Sequence, residues 1–287
     1  MLGTIEQCTI KRDIYCSGIG LHTGKYINMR IEPARAGSGI NFYKLDNNAE
    51  IPAALEYVVD SHRCTTLDCN GFRIFTPEHI LAALYGMGID NASIFIDGSE
   101  VPIMDGSCAG FVEVIQNVGI EKQGLPKRVL RVKEKLEFYN MIIEPYDGLK
   151  IDYHIKYDDP IIGEQQYFME VTRERFADEI ANARTFGYAH ELNLLWEQGR
   201  ARGASLDNVL VIDKGKIANP GGLRYRDEFA RHKILDLIGD IALLRFNLRG
   251  YIRAYKAGHA MHHRFLQELM ESGKFSYEYL DGGKYGY

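Results

Sequence analysis

Asp227-Glu-Phe-Ala-Arg-His-Lys-Ile-Leu-Asp-Leu-Ile-Gly-Asp-Ile-Ala-Leu-Leu244 is the stretch on which the reading of this chain turns. Ile234, Leu235, Leu237, Ile238, Ile241 and Leu243 crowd most of its circumference, so it predicts a long, largely buried helix. His232 and Asp236 stand four residues apart and share one face, and Asp240 extends that face by a turn. A solvated pair at this spacing would contribute little. On a buried helix, however, charge needs a partner or a metal. An imidazole nitrogen and a carboxylate oxygen one turn apart suit a borderline cation such as zinc.

A catalytic metal site also needs a third ligand, a base and a polarising group. Glu78-His79 opens a second predicted helix, Pro77–Met87, with Thr76 as its N-cap and Pro77 at the first helical position. An acidic residue there is also what a helix dipole favours without any catalytic role. Adjacent helical residues point about 100° apart, so His79 can ligate while Glu78 reaches a water. His259 follows the strand Gly250–Lys256 and Gly258, which permits close approach. Asp240 is placed to accept its second N–H and hold it protonated. His262 and His263, in the predicted helix Ala260–Ser272, are expected at the surface, and His154 is left without a role. Lys233, near Arg224, Arg226 and Arg231, reads equally as a phosphate contact or as part of a solvated cluster balanced by Asp227 and Glu228.

Working outward, the first part is expected to hold strands at Cys8–Cys16, Tyr26–Ile31, Gly39–Tyr43 and Leu55–Val59, then the helix at Pro77–Met87. Strand Ala92–Ile96 and a short helix at Cys108–Asn117 complete it. Gly119–Lys127 is polar, contains Gly124 and Pro126, and reads as a boundary. Strands return at Val129–Lys133, Lys135–Glu144, Leu149–Tyr157 and Gln166–Val171, with helices at Thr172–Ala181, Ala189–Gln198 and Asp227–Leu244. The tail from Asp281 is expected to fray. Glu78-His-Ile-Leu and Arg231-His-Lys-Ile-Leu begin similar series, which suggests a duplicated unit of strands followed by helices. The expected fold is α+β: two similar domains, 1–122 and 128–287, each a mainly antiparallel sheet packed on helices. The two His-bearing helices would then face one another, with the metal between the domains.

Composition narrows the functional classes. The 34 basic and 39 acidic residues leave a net charge of −5, without the basic face that nucleic-acid binding requires. Five cysteines without a Cys-x-x-Cys pair make a poor disulfide framework and fit a reducing cytoplasm. Residues 1–18 lack a signal-peptide pattern, and no apolar run approaches the ~20 residues that span a bilayer.

Six ordered motifs then carry a resemblance: Gly18-Ile-Gly-Leu-His-Thr-Gly24, Thr76-Pro-Glu-His79, Glu100-Val-Pro-Ile-Met-Asp-Gly-Ser107, Ala183-Arg-Thr-Phe-Gly187, Arg231–Asp240 and Lys256-Ala-Gly-His259. From about Cys8 to Leu269 the chain resembles the UDP-3-O-acyl-N-acetylglucosamine deacetylases of Gram-negative bacteria, zinc amidases of lipid A synthesis. The resemblance implies His79, His232 and Asp236 as zinc ligands, Glu78 as base, His259 as cation and acid supported by Asp240, and Thr185 beside the oxyanion. It places Lys233 near the diphosphate, Phe186 and Tyr157 among the substrate contacts, Tyr157 at a uracil-stacking position, and His62 in the cleft. It further implies an insertion near 187–209 forming an apolar acyl passage that includes Leu195. Gly203-Ala204-Ser205 stands where the family has Gly-Gly-Ser, so the Ala204 methyl is expected to narrow that passage.

The expected reaction releases acetate from an acylated UDP-sugar, with the leaving amine protonated by His259 or by Glu78. The chain is expected to work in the cytoplasm as a monomer. Two alternatives stay open: an amidase acting on another acylated sugar or peptide, and a non-catalytic module with a structural zinc. The second is disfavoured because no Cys sits near these His residues.

Overall fold

In the computed structural model, which describes residues 5–46 and 49–280, nineteen strands and six α-helices alternate in two successive series. The first comprises β1 (Glu6–Ile10), β2 (Ile14–Ile19), β3 (Tyr26–Pro33), β4 (Ile40–Lys44), β5 (Glu50–Pro52), β6 (Val58–Asp60), β7 (Thr66–Cys69), β8 (Phe72–Phe75), α1 (Glu78–Gly86), β9 (Ala92–Ile96) and α2 (Ala109–Val118). Then follow β10 (Ile120–Val132), β11 (Leu136–Phe138), β12 (Met141–Glu144), β13 (Leu149–Lys156), β14 (Glu164–Glu170) and α3 (Arg173–Arg175), which continues as a π turn. The insertion holds β15 (Phe186–Tyr188), α4 (Leu192–Glu197), β16 (Leu210–Asp213) and β17 (Lys216–Ile217). The chain closes with α5 (Glu228–Ala242), β18 (Asn247–Tyr255), α6 (His259–Ser272) and β19 (Phe275–Leu280).

The class is α+β, as the strand and helix patterning requires. One sheet runs β2-β3-β9-β4-β5, antiparallel except for β4 against β9. A second, larger mixed sheet follows the path β1-β10-β18-β12-β11, with β13, β14 and β19 attached. Two small sheets, β6-β7-β8 and β15-β16-β17, lie beside them. α1 is buried along its whole length, and α5 is buried except at Arg231 and Lys233. The central helices therefore face the sheets and each other rather than water.

Several expectations change. The boundary segment holds a strand from Ile120 onward: β10 pairs antiparallel with β1 over its first half and with β18 and β19 over its second. Glu121 and Lys122 are exposed, Gln123 bonds Asn91 and the Ala34 carbonyl, and Lys127 turns inward, buried, and pairs with Asp90 and the Gly88 carbonyl. Leu55–Val59 begins as a 3-10 turn before β6, and Lys135–Glu144 is a hairpin of two strands. Thr76 does not cap α1; it sits at φ 57° and donates its hydroxyl to Glu100. β19 was not anticipated; it closes the large sheet against β10. The tail from Asp281 lies outside the described residues.

Candidate active site

α1 and α5 pack directly on one another, and the reason is local. A Cβ on Gly239 would collide with the backbone of Glu78, so glycine alone lets the two helices touch. That contact brings the His79 and His232 rings edge-on at 5.2 Å between centroids. His232 Nε2 lies 3.3 Å and His79 Nε2 3.9 Å from Asp236 Oδ1. All three residues are buried.

The protonation of this group suits a cation. His232 donates Nδ1–H to the Ala183 carbonyl at 3.1 Å, which leaves the Nε2 lone pair facing Asp236. Burial lowers His232, more than Asp236 restores it. Burial, then the neighbouring His232, pushes His79 down to about 3. Both imidazoles are thus neutral, as ligands must be. The His79 Nδ1 is buried, with no hydrogen-bond partner among the described residues. Burial pushes Asp236 up, but His232, Lys233 and His259 outweigh it and hold the carboxyl below the usual range. Two neutral imidazoles and an ionised carboxylate fit a divalent ion of zinc's type.

Glu78 and His259 flank this group. Glu78 Oε1 lies 3.6 Å from His259 Nε2, and burial pushes the Glu78 carboxyl up to about 8 against the pull of His259. His259 opens α6 and gives Nδ1–H to Asp240 Oδ2 at 2.7 Å. Burial disfavours its charge, yet Asp240, then Asp236 and Glu78, raise the imidazole to about 10. A carboxyl shifted towards its neutral form and an imidazole shifted towards its charged form face the same space.

That space is a cavity of about 540 Å³. Glu78, His79, Thr185, His232, Lys233, Asp236 and His259 are among its lining residues, together with Tyr157, Phe186, Leu195 and Ala204. Lys233 bonds Asp236 at 2.8 Å and lies over the Phe186 ring. Thr185 is set by its neighbours: its N–H bonds the Gly106 carbonyl, and Arg184 before it is clamped on buried Glu228. Glu100 ties three of the motifs together, accepting from His22 N, from Thr23 N and Oγ1, and from Thr76 Oγ1. The structure thus gathers the expected residues with one exception. Asp240 stands behind His259 as its support, outside the cavity lining, whereas His62 is exposed, its backbone carbonyl accepting from Arg200.

Sequence reasoning erred on His262 and His263. Both are buried and both bond Asp240. Positions 259, 262 and 263 share a helical face, and that i, i+3, i+4 spacing was the available signal. Thr65, which bonds Asp240 and Glu78, carried no local signal. Arg63 was also missed; it joins Glu191 of the insertion through two bonds at the cavity rim.

A buried imidazole–carboxylate cluster beside a carboxyl and a further imidazole, lining a largely apolar cavity, is the arrangement of a metal-dependent hydrolase. The family model for UDP-3-O-acyl N-acetylglycosamine deacetylase (LpxC) matches residues 7–271. The chain is similar to the UDP-3-O-acyl-N-acetylglucosamine deacetylase of Thermodesulfovibrio yellowstonii, 44% identical over 93% of this chain and 92% of that protein. It is 42% identical to that of Nitratiruptor sp. (93% and 91% covered) and 44% identical to that of Oleidesulfovibrio alaskensis (93% and 90%). The chain belongs to this deacetylase family.

Proposed function

We propose that the chain hydrolyses the N-acetyl group of UDP-3-O-acyl-N-acetylglucosamine, giving acetate and UDP-3-O-acyl-glucosamine in lipid A biosynthesis. The carrying observation is the convergence of two neutral imidazoles, an ionised carboxylate, Glu78 and charged His259 on one cavity. His79, His232 and Asp236 would hold zinc, which when bound supplies Lewis acidity toward the acetamide and acidifies water.

The remaining chemistry falls to the chain's own groups. Glu78, raised towards neutral pH, takes a proton from the attacking water. His259, already charged, places positive charge beside the developing oxyanion, and the Thr185 hydroxyl adds a donor. The amine leaves with a proton from His259 or from the now protonated Glu78. Asp240 keeps the His259 ring oriented. Lys233 serves the diphosphate, Phe186 and Tyr157 the nucleotide-sugar end, and the apolar cavity wall with Leu195 and Ala204 the acyl chain. His62, exposed, contributes at most to the outer rim.

We further assign residues 1–122 and 128–287 to two related domains with the site between them, the insertion at 187–209 forming the acyl passage. The protein acts as a monomer in the cytoplasm, a setting that suits its five free cysteines. Among the described residues no helix is long and apolar enough to cross a membrane. The test is acetate release from the UDP-linked acylated sugar with and without zinc. Equal turnover of an unlinked acetamido sugar would favour the broader amidase, and no release from either would end the proposal.

A further inference from the structure

Asp240 has no exposed surface, and all the acceptor sites of its carboxylate are occupied. Oδ2 accepts from His259 Nδ1 at 2.7 Å and from His262 Nδ1 at 2.8 Å. Oδ1 accepts the Thr65 hydroxyl at 2.7 Å and His263 Nε2 at 2.9 Å. Two outer hydroxyls decide where the protons sit. Tyr153 Oη lies 2.8 Å from His262 Nε2, and Ser61 Oγ 2.6 Å from His263 Nδ1. With each hydroxyl donating to the ring nitrogen it faces, both imidazoles stay neutral and aim their single N–H at Asp240.

Thr65 is the member that reaches furthest. It is fully buried and outside the cavity lining, so it does not touch substrate. Its hydroxyl holds Asp240, and its backbone N–H donates to Glu78 Oε2 at 3.3 Å. One residue on the strand β7 approach thus touches both the base and the group that orients the cation. An aspartate with one anchored oxygen can still swing about its side-chain bonds; here both oxygens are held, by three imidazoles of α6 and by Thr65. The ring of His259 inherits that orientation, since its Nδ1 is bonded to the same carboxylate.

We propose that Thr65 is a positioning residue for the deacetylation, locking Asp240 and through it the His259 ring, with His262 and His263 completing the clamp. This rests on the deacetylase reading above.

The decisive variant is Thr65→Val, which removes the hydroxyl and keeps the shape. We expect kcat to fall about ten-fold or more, as for a lost buried hydrogen bond in a polar network, with KM and metal content unchanged. Thr65→Ser, which restores the hydroxyl, returns most of the rate. In an Asp240→Ala background, Thr65→Val has no further effect on kcat. A wild-type kcat in Thr65→Val, or the same fold-loss in both backgrounds, overturns the clamp. Should Thr65→Val not fold, His263→Phe makes the same test on the other donor to Oδ1, and a wild-type kcat there overturns it equally. The His259 Nδ1–H proton, followed by NMR without substrate, separates the two readings. Its shift towards solvent-exchanging values in Thr65→Val supports the clamp even if wild-type protein releases no acetate, and an unmoved signal refutes it.

Discussion

Gly239 of α5 lies against the backbone of Glu78 in α1, with no room between them for a Cβ. That contact sets the distance between the helix carrying His79 and the helix carrying His232 and Asp236. Gly239→Ala is expected to push the helices apart. Overpacking of this kind costs about 1–3 kcal/mol, and metal affinity should fall with it. Calorimetry and a competitive metal titration check both; unchanged affinity would show that the ligand geometry tolerates the displacement.

Glu78→Ala and His259→Ala should each lower turnover by ~10²–10⁴, the range of general acid–base roles, while retaining metal. Acetate release and metal analysis on the same preparations decide this. A variant working at the wild-type rate loses its assigned role.

His232→Ala removes the imidazole that faces Asp236 at 3.3 Å. We expect the purified variant to bind zinc far more weakly in a chelator competition. Full occupancy under conditions that saturate the wild type would remove His232 from the ligand set.

The metal-free protein should lose stability as pH rises. His259 is raised from 6.5 to about 10, so its contribution is complete below pH 6.5 and lost as pH climbs through about 10. Glu78, raised from 4.5 to about 8, acts in the same direction over a lower window. His79, lowered to about 3, acts oppositely but only below pH 6.5. Between pH 6.5 and 10, then, the thermal midpoint in chelator should decline. Asp240→Asn, which removes the first support of the His259 charge, should flatten that decline; an identical slope would mean that Asp240 does not hold the proton.

Much of the site was legible because its parts are local patterns. His232, Asp236 and Asp240 follow from helical spacing on an apolar stretch, and Glu78-His79 from the start of a helix. Thr185, Phe186 and Lys233 came with the ordered motifs, not with any periodicity. His62 was misplaced because a position in a loop says nothing about which way its side chain points; that loop turns the side chain to solvent and its carbonyl to Arg200. The strand across 120–127 was not read because glycine, proline and charge look alike in a boundary segment and in a largely exposed strand.

By itself, the sequence determined the α+β class, the two buried helices and the residue types able to bind a cation, since periodicity and spacing are properties of neighbours along the chain. Only the tertiary structure decided that α1 and α5 meet at Gly239, that Thr65, His262 and His263 converge on Asp240, and that Glu78 and Asp236 also face His259. Those outcomes depend on burial and on fields summed over segments far apart in the chain, which no local pattern encodes.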